Sequence, residues 1–213
     1  MENALSDGAG DPGLTLPGLT LIETLGWDGA GFARLPLHLA RLTRSAGRLG
    51  WLCDAADAEA ALRGAAPKEP ARMRLTLNPA GAITVQASPL PPAKAEWTLT
   101  LAPTRLLSTD PWLTLKSSRR AAYDTARAAL PPGADEAVLL NERDEVCDGT
   151  ITTLFFDRGD GLRTPPLTCG LLPGVLRAEL AVPEEILLAA DLPHVRLWVG
   201  NSLRGMIPAV WAG

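Results

Sequence analysis

Polar and apolar residues alternate along "LTLIETL", residues 19–25, which predicts a strand, and "GWDGAG" after it reads as a turn. In "PLHLARLTRSAGRLGW" the apolar positions Leu37, Leu39, Leu42, Ala46 and Leu49 recur at near-helical spacing, with Pro36 suited to the first turn and Gly50 to the end. A weaker helix, "DAEAALRGA", follows. "RMRLTL" and "AITVQA" joined by "NPAG" predict a hairpin, "SPLPPAKAE" breaks the chain, and "WTLTLAPTRL" predicts another strand. "STDPW" from Ser108 reads as a linker into a helix over Ser117–Leu130, supported by residues 121, 122, 126, 129 and 130 and ended by "PPG". "EAVLLN", "EVCDG" and "TLFFD" predict short strands around a turn at Arg143 and Asp144, and "GDG" opens another hairpin. "LLPGVLRAELA" predicts a helix entered through Pro173 and Gly174, and "VRLWVGNSLRGMIPAVWA" closes the chain with at least one strand and a turn.

Strands in meanders with helices between them, without regular βαβ alternation, predict an α+β fold in two lobes. The division is expected at 107/108: a small N-terminal lobe, residues 1–107, whose first eighteen residues are expected to fray, and a larger C-terminal lobe, residues 108–213.

Composition narrows the function classes. Apolar residues make up 46% and charged residues 21% of 213, ordinary for a soluble globular chain, and the net charge of −4 gives no reason to expect nucleic acid or an acidic membrane as partner. Cys53, Cys147 and Cys169 form no CxxC pair, so neither a disulfide framework nor a metal site is suggested. No run approaches the ~20 apolar residues of a membrane span, and the N-terminus lacks a basic region followed by an apolar run, so a cytoplasmic location is expected.

Against seventeen arginines the chain has three lysines, Lys68, Lys94 and Lys116. Lysine can lose its proton when desolvated and then act as nucleophile or base, which arginine cannot. Lys116 follows the strand-like "WLTL" and precedes a helix that Ser117 or Ser118 can cap, where burial and the helix dipole both depress an amine's pKa. From this local context alone a strand-end lysine reaching solvent is the more ordinary reading.

Four other stretches carry candidate chemistry. Gly174 permits close backbone approach, and the N–H groups of Val175 and Leu176 at a helix start suit a phosphate or carboxylate. Arg41 in "HLARL" can reach a phosphate or stay a solvated charge. Asp148 in "VCDGTITTLFF" interrupts an apolar strand pair and, if buried, needs a cationic partner or several donors; in an open Asp-Gly turn it needs neither. Ser202 and Arg204 in "GNSLRGMIPA" offer a hydroxyl and a guanidinium.

The order "HLARL", "LKSSRRAAYDTAR", "DEAVLLNERDEVCDGTITTLFF", "TPPLTCGLLPGVLR", "NSLRGMIPA", from about Leu19 to Pro208, resembles the class IV family of pyridoxal phosphate enzymes. That family contains branched-chain and D-amino acid aminotransferases and aminodeoxychorismate lyases. The resemblance implies a two-lobed fold type IV architecture, with a small α/β lobe and a larger lobe built on a strand-rich pseudo-barrel. It implies pyridoxal 5′-phosphate as cofactor, a small-molecule amino substrate and a homodimer. Lys116 matches the lysine that holds the cofactor and then moves protons at the substrate's amino-bearing carbon. Asp148 falls where the family normally has glutamate facing the pyridine nitrogen. Arg41, the backbone N–H groups of Val175 and Leu176 after Gly174, and Ser202 match the phosphate grip.

Tyr123, seven residues after Lys116, can hydrogen-bond the cofactor's ring hydroxyl or simply pack. Arg74 aligns with a position near the substrate side and is the candidate carboxylate anchor, with Arg204 a second. Gly26 stands where many members carry arginine, and "NPAG" replaces a longer loop that supplies basic groups in the lyases. The compact form resembles most the short aminodeoxychorismate lyases of folate synthesis. A class IV aminotransferase for branched-chain or D-amino acids, and a cofactor-binding protein without turnover, are the alternatives.

Overall fold

A computed structural model describes residues 18–213. The stretch expected to fray lies, apart from Gly18, outside the described residues. Three strands, β1 (Leu21–Trp27), β2 (Ala71–Leu77) and β3 (Ile83–Ser88), form an antiparallel sheet in that order. Between β1 and β2 the chain makes α1 (Leu35–Arg48) and α2 (Ala55–Gly64), whose apolar faces cover one side of the sheet. Leu21, Leu25, Met73 and Leu75 pack there against Leu42, Ala46 and Leu62, all nearly or fully buried. Each of the larger side chains gains roughly 1.5–3 kcal/mol by that burial. Gly50, with φ 68°, ends α1 as expected: its N–H bonds the Gly47 carbonyl and the Trp51 N–H the Ala46 carbonyl.

The second sheet has seven strands in the order β6-β5-β4-β10-β9-β7-β8 and curls into a half-barrel. They are β4 (Trp97–Leu106), β5 (Glu136–Asn141), β6 (Val146–Gly149), β7 (Thr153–Asp157), β8 (Leu162–Arg163), β9 (Arg196–Asn201) and β10 (Gly205–Trp211). All six residues of β5 are buried, because Val138 and Leu140 face one core while Ala137 and Leu139 face another, beneath α3 (Ala121–Ala128). This two-sided burial is why "EAVLLN" reads as a continuous apolar run between its two polar ends. Most neighbours are antiparallel, but β4 runs parallel to β5 and β10.

The fold is mixed α+β, of the fold type IV kind, as the sequence predicts. Sheet membership differs from the expected division at 107/108. β4 pairs with β5 and β10, so the chain changes sheets in the proline-rich segment 89–96, and β4 goes with the second half. One helix is shorter than predicted: α3 begins at Ala121 instead of Ser117, because residues 116–118 pair with the start of β1. The helix predicted to be entered through Pro173 and Gly174 is α4 (Val175–Leu180), with Gly174 at its N-cap. Its seat is tight: a Cβ on Gly200 of β9 would come within 2.6 Å of Leu176 Cδ2. Among the described residues no helix is long and apolar enough to cross a membrane.

Candidate active site

The crossover from β4 to β5 runs along the β1 edge of the small sheet before it enters α3. There the Ile22 N–H donates to the Lys116 carbonyl at 2.8 Å and the Ser118 N–H to the Thr20 carbonyl at 2.8 Å. Lys116 is thereby fixed where the two sheets meet, at a cavity of about 500 Å³. Every residue singled out in the sequence lines that cavity: Arg41, Arg74, Lys116, Tyr123, Asp148, Gly174, Val175, Leu176, Ser202 and Arg204. They come from α1, β2, the crossover, α3, β6, α4 and the β9–β10 turn, so the site exists only in the folded chain.

One end of the cavity rests on a buried polar cluster. α1 turns His38 and Arg41, three residues apart and so on one face, toward β1. There Glu23 shares the inward register of Leu21 and Leu25 and is almost fully buried. Its Oε1 accepts from Arg41 Nε at 2.8 Å, and its Oε2 accepts from Arg41 Nη2 at 2.6 Å and pairs with His38 Nδ1 at 2.6 Å. His38 Nε2 lies 2.7 Å from Ser202 Oγ. Arg41 Nη1 donates to the Pro173 carbonyl at 3.3 Å, which ties the cluster to the turn before α4. Burial alone would raise the Glu23 pKa, but the Arg41 charge and the bonds from Arg41 and His38 outweigh it and hold the carboxyl at about 2. Gly174 leaves little room: a Cβ there would lie 2.7 Å from Thr153 Oγ1, which would have to move.

Of the two causes expected for Lys116's acidity, burial and a helix dipole, the structure supplies the first. Ser118 does not cap a helix; its Oγ accepts from the Thr20 N–H at 3.0 Å, and the helix dipole starts four to five residues further on. Burial instead pushes the Lys116 pKa down from 10.5 to about 8, with Arg41 adding to it and Glu23 opposing. The sign follows. Between about 8 and 10.5 the unfolded chain binds a proton that the folded one has released, so this group's contribution to stability rises with pH across that window and is lowest below it.

Asp148, on β6, is buried, and among the described residues neither its Oδ1 nor the buried Tyr123 hydroxyl has a hydrogen-bond partner. Burial pushes both pKa values up, strongly for Asp148, where the Leu172 N–H opposes the shift and Glu136 adds to it. The turn after Asp148 is built on Glu136, which has no exposure at all. Glu136 accepts from the Thr150 and Ile151 N–H groups at 2.9 and 3.1 Å, from Thr152 Oγ1 at 2.9 Å, and from the Thr150 hydroxyl. A Cβ on Gly149 would come within 2.8 Å of Glu136 Oε2, so the strand leaves Asp148 through a glycine. Arg120 closes the same side, donating to the Thr150 carbonyl at 3.1 Å and to Asp124 at 2.7 Å, with its guanidinium carbon 5.7 Å from the centre of the Tyr123 ring.

The opposite rim is basic. Arg72 and Arg74 alternate with Met73 and Leu75 on β2, so their side chains leave the core face and reach the cavity. Arg204 stacks on Trp97 at 5.1 Å and donates to the Pro92 carbonyl at 3.0 Å. Among the described residues seven cationic side chains line the cavity (Arg41, Arg72, Arg74, Lys116, Arg119, Arg120 and Arg204), with the carboxylates of Asp124 and Asp148. Burial and the like charges of Arg120 and Arg72 push the Arg74 pKa down. On a chain of net charge −4 this is a local excess that suits an anionic guest.

Sequence reasoning missed Glu23, Glu136, Arg120 and the role of His38. For the two glutamates a signal was available: each carboxylate occupies a strand position whose register points inward, and a buried charge needs a partner.

The model of the amino-transferase class IV family matches residues 20–210. The chain belongs to that family. Its relatives divide between two activities. A Schizosaccharomyces pombe protein assigned, without proof of activity, as an aminodeoxychorismate lyase is 36% identical over 168 residues, 75% of this chain and 72% of the relative. A Mesorhizobium loti structure assigned in the same way as an amino-acid aminotransferase is 48% identical, with a TM-score of 0.84 over 91% of this chain and all of the other. The 4-amino-4-deoxychorismate lyase of Pseudomonas aeruginosa shares the fold at 24% identity, with a TM-score of 0.80 over 98% of this chain and 88% of the lyase. The class IV family is pyridoxal phosphate-dependent, and the chain is an enzyme of this family.

Proposed function

We propose that the cavity binds pyridoxal 5′-phosphate and that the protein converts 4-amino-4-deoxychorismate to 4-aminobenzoate and pyruvate. The residues fit the cofactor. A buried carboxylate oxygen and a buried phenol without partners each cost about 1–3 kcal/mol, and a protonated ring nitrogen opposite Asp148 and a ring hydroxyl opposite Tyr123 would supply those partners. Arg41, Ser202 and the N–H groups of Val175 and Leu176 would hold the phosphate, and Lys116 Nζ would hold the aldehyde carbon covalently. Bound there, the cofactor supplies an electron sink for the carbon that carries the substrate amine.

The observation that carries the choice of substrate is the basic rim, where Arg72, Arg74 and Arg204 line the cavity and form no ion pair among the described residues. The substrate has two carboxylates, one on the ring and one on the enolpyruvyl ether, and a forked guanidinium suits each. Lys116, once displaced by the substrate amine, is neutral over part of the physiological range and takes the proton from the amine-bearing ring carbon. The electron pair of that C–H bond becomes part of the aromatic ring. The neighbouring C–O bond breaks, and the enolate leaves and is protonated to pyruvate.

An aminotransferase acting on branched-chain or D-amino acids with 2-oxoglutarate is the second reading, favoured by the 48% identity to an assigned amino-acid aminotransferase. It uses the same lysine and the same cofactor grip. Incubation with aminodeoxychorismate should release 4-aminobenzoate and pyruvate in equal amounts. Glutamate formation from an amino-acid panel with 2-oxoglutarate, and no 4-aminobenzoate, would replace the lyase by the transferase; no product in either assay would leave a cofactor-binding protein without turnover. A homodimer belongs to this reading through the family resemblance, and light scattering tests it.

Two further outcomes are expected. Arg74→Ala should raise KM about 10- to 100-fold, the ~1.5–3 kcal/mol of a hydrogen bond to a charged group, while kcat stays within a few-fold. A kcat loss with KM unchanged would remove Arg74 from the substrate side. The rate at which the cofactor-free protein takes up pyridoxal phosphate should climb with pH with its midpoint near 8, where half of the Lys116 amine is free. A climb continuing toward the ~10.4 of ordinary lysine would contradict the depressed amine.

A further inference from the structure

The buried cluster beneath Ser202 carries a constraint on protons that the phosphate grip alone does not. Glu23 is ionised, and its two oxygens are occupied by Arg41 and by His38 Nδ1. An ionised carboxylate only accepts, so the His38 hydrogen on that side must sit on Nδ1. If the imidazole is neutral, Nε2 is bare, and the Ser202 hydroxyl 2.7 Å away must donate to it. Ser202 then shows the cavity only lone pairs, which repel an anion. If the imidazole is cationic, Nε2–H donates to Ser202 Oγ, and the hydroxyl hydrogen is free to turn into the cavity.

Charge leads to the same conclusion. Glu23 cancels Arg41 at 2.6 Å, so that pair presents no net positive charge to a dianion. The charged groups bearing on His38 are Glu23 on β1, Arg41 on its own helix, and Lys116 on the crossover; Arg34, before α1, donates to the Ser202 carbonyl and is paired with Glu179 of α4. With no anion bound, burial keeps His38 below its ordinary pKa, against the pull of Glu23.

We propose that His38 takes up a proton when a phosphate dianion binds beside Arg41 and Ser202, and that the resulting imidazolium turns the Ser202 hydroxyl into a donor to that anion. His38 is thus a positioning residue, and phosphate binding at this site is coupled to one proton. This inference rests on the proposed reading that Arg41 and Ser202 hold a phosphate.

The test is NMR titration of the histidine ring signals in the holoprotein and in the same protein stripped of cofactor. The chain has two histidines, and His194, exposed in the turn before β9, serves as internal control. The His38 midpoint is expected to rise by about one to three units in the holoprotein, the effect of an opposite charge within hydrogen-bonding range, while His194 stays put. Inorganic phosphate added to the stripped protein should give the same direction of shift. His38→Gln, which keeps a hydrogen-bonding side chain but cannot be charged, should flatten the pH dependence of pyridoxal phosphate affinity between about 6 and 8. A holoprotein whose His38 titrates unchanged overturns the coupling alone. A stripped protein that takes up no pyridoxal phosphate and shows no His38 shift overturns the phosphate reading with it.

Discussion

Lys116→Ala should lower kcat by about 10⁴-fold or more, because the change removes at once the covalent anchor and the proton acceptor at the substrate carbon. Nothing else in the cavity can substitute. Apart from Lys116 the cationic groups lining it are arginines, which stay protonated, and His38, whose two ring nitrogens are engaged by Glu23 and Ser202. Lys116→Arg should be equally inactive while keeping the charge, which separates loss of nucleophilicity from loss of positive potential. Cofactor should remain bound, more weakly, through Arg41 and Ser202. Residual turnover within tenfold of the parent would move the catalytic amine elsewhere.

Asp148→Asn should reduce kcat by about two to four orders of magnitude, corresponding to the ~3–5 kcal/mol of breaking a buried charge pair. The cofactor-free protein should barely notice, since burial already drives that carboxyl toward its neutral form, which an amide imitates in shape. The thermal midpoint should therefore be similar with and without the substitution in the stripped protein, and the stabilisation gained on adding pyridoxal phosphate should shrink. A stripped variant that melts far lower would instead make Asp148 a structural residue. Asp148→Glu restores the usual length of this carboxylate in the family and should keep activity within about tenfold.

What the sequence made legible follows from the range of the interactions. Pro36 and Gly50 bracket α1 because the first turn and the left-handed end of a helix are local demands, and both lie within a residue or two of the observed bounds. The hairpin of β2 and β3 and the strand β4 were legible for the same reason. The ends of α3 and the sheet membership of β4 were not. Residues 116–118 are taken from the helix by pairing with residues 20–22, almost a hundred positions away, and β4 joins its parallel neighbours through connections whose partner no local pattern names.

The ten candidate site residues were found because ordered motifs resembled a family, and each of them does line one cavity. The supporting residues escaped because each looks ordinary alone. Glu23 is one acid in a strand, and Glu136 opens another; only their inward register, in line with Leu21 and Leu25 in the first case, marks them as charges that must be answered from elsewhere in the chain.

The covalent chemistry can be put to a direct test with the protein as purified with its cofactor. Borohydride treatment should fix a pyridoxyl group on one peptide, and sequencing by mass spectrometry should place it on Lys116. Modification of Lys68, Lys94 or the N-terminal amine, with Lys116 unlabelled, would contradict the site built here.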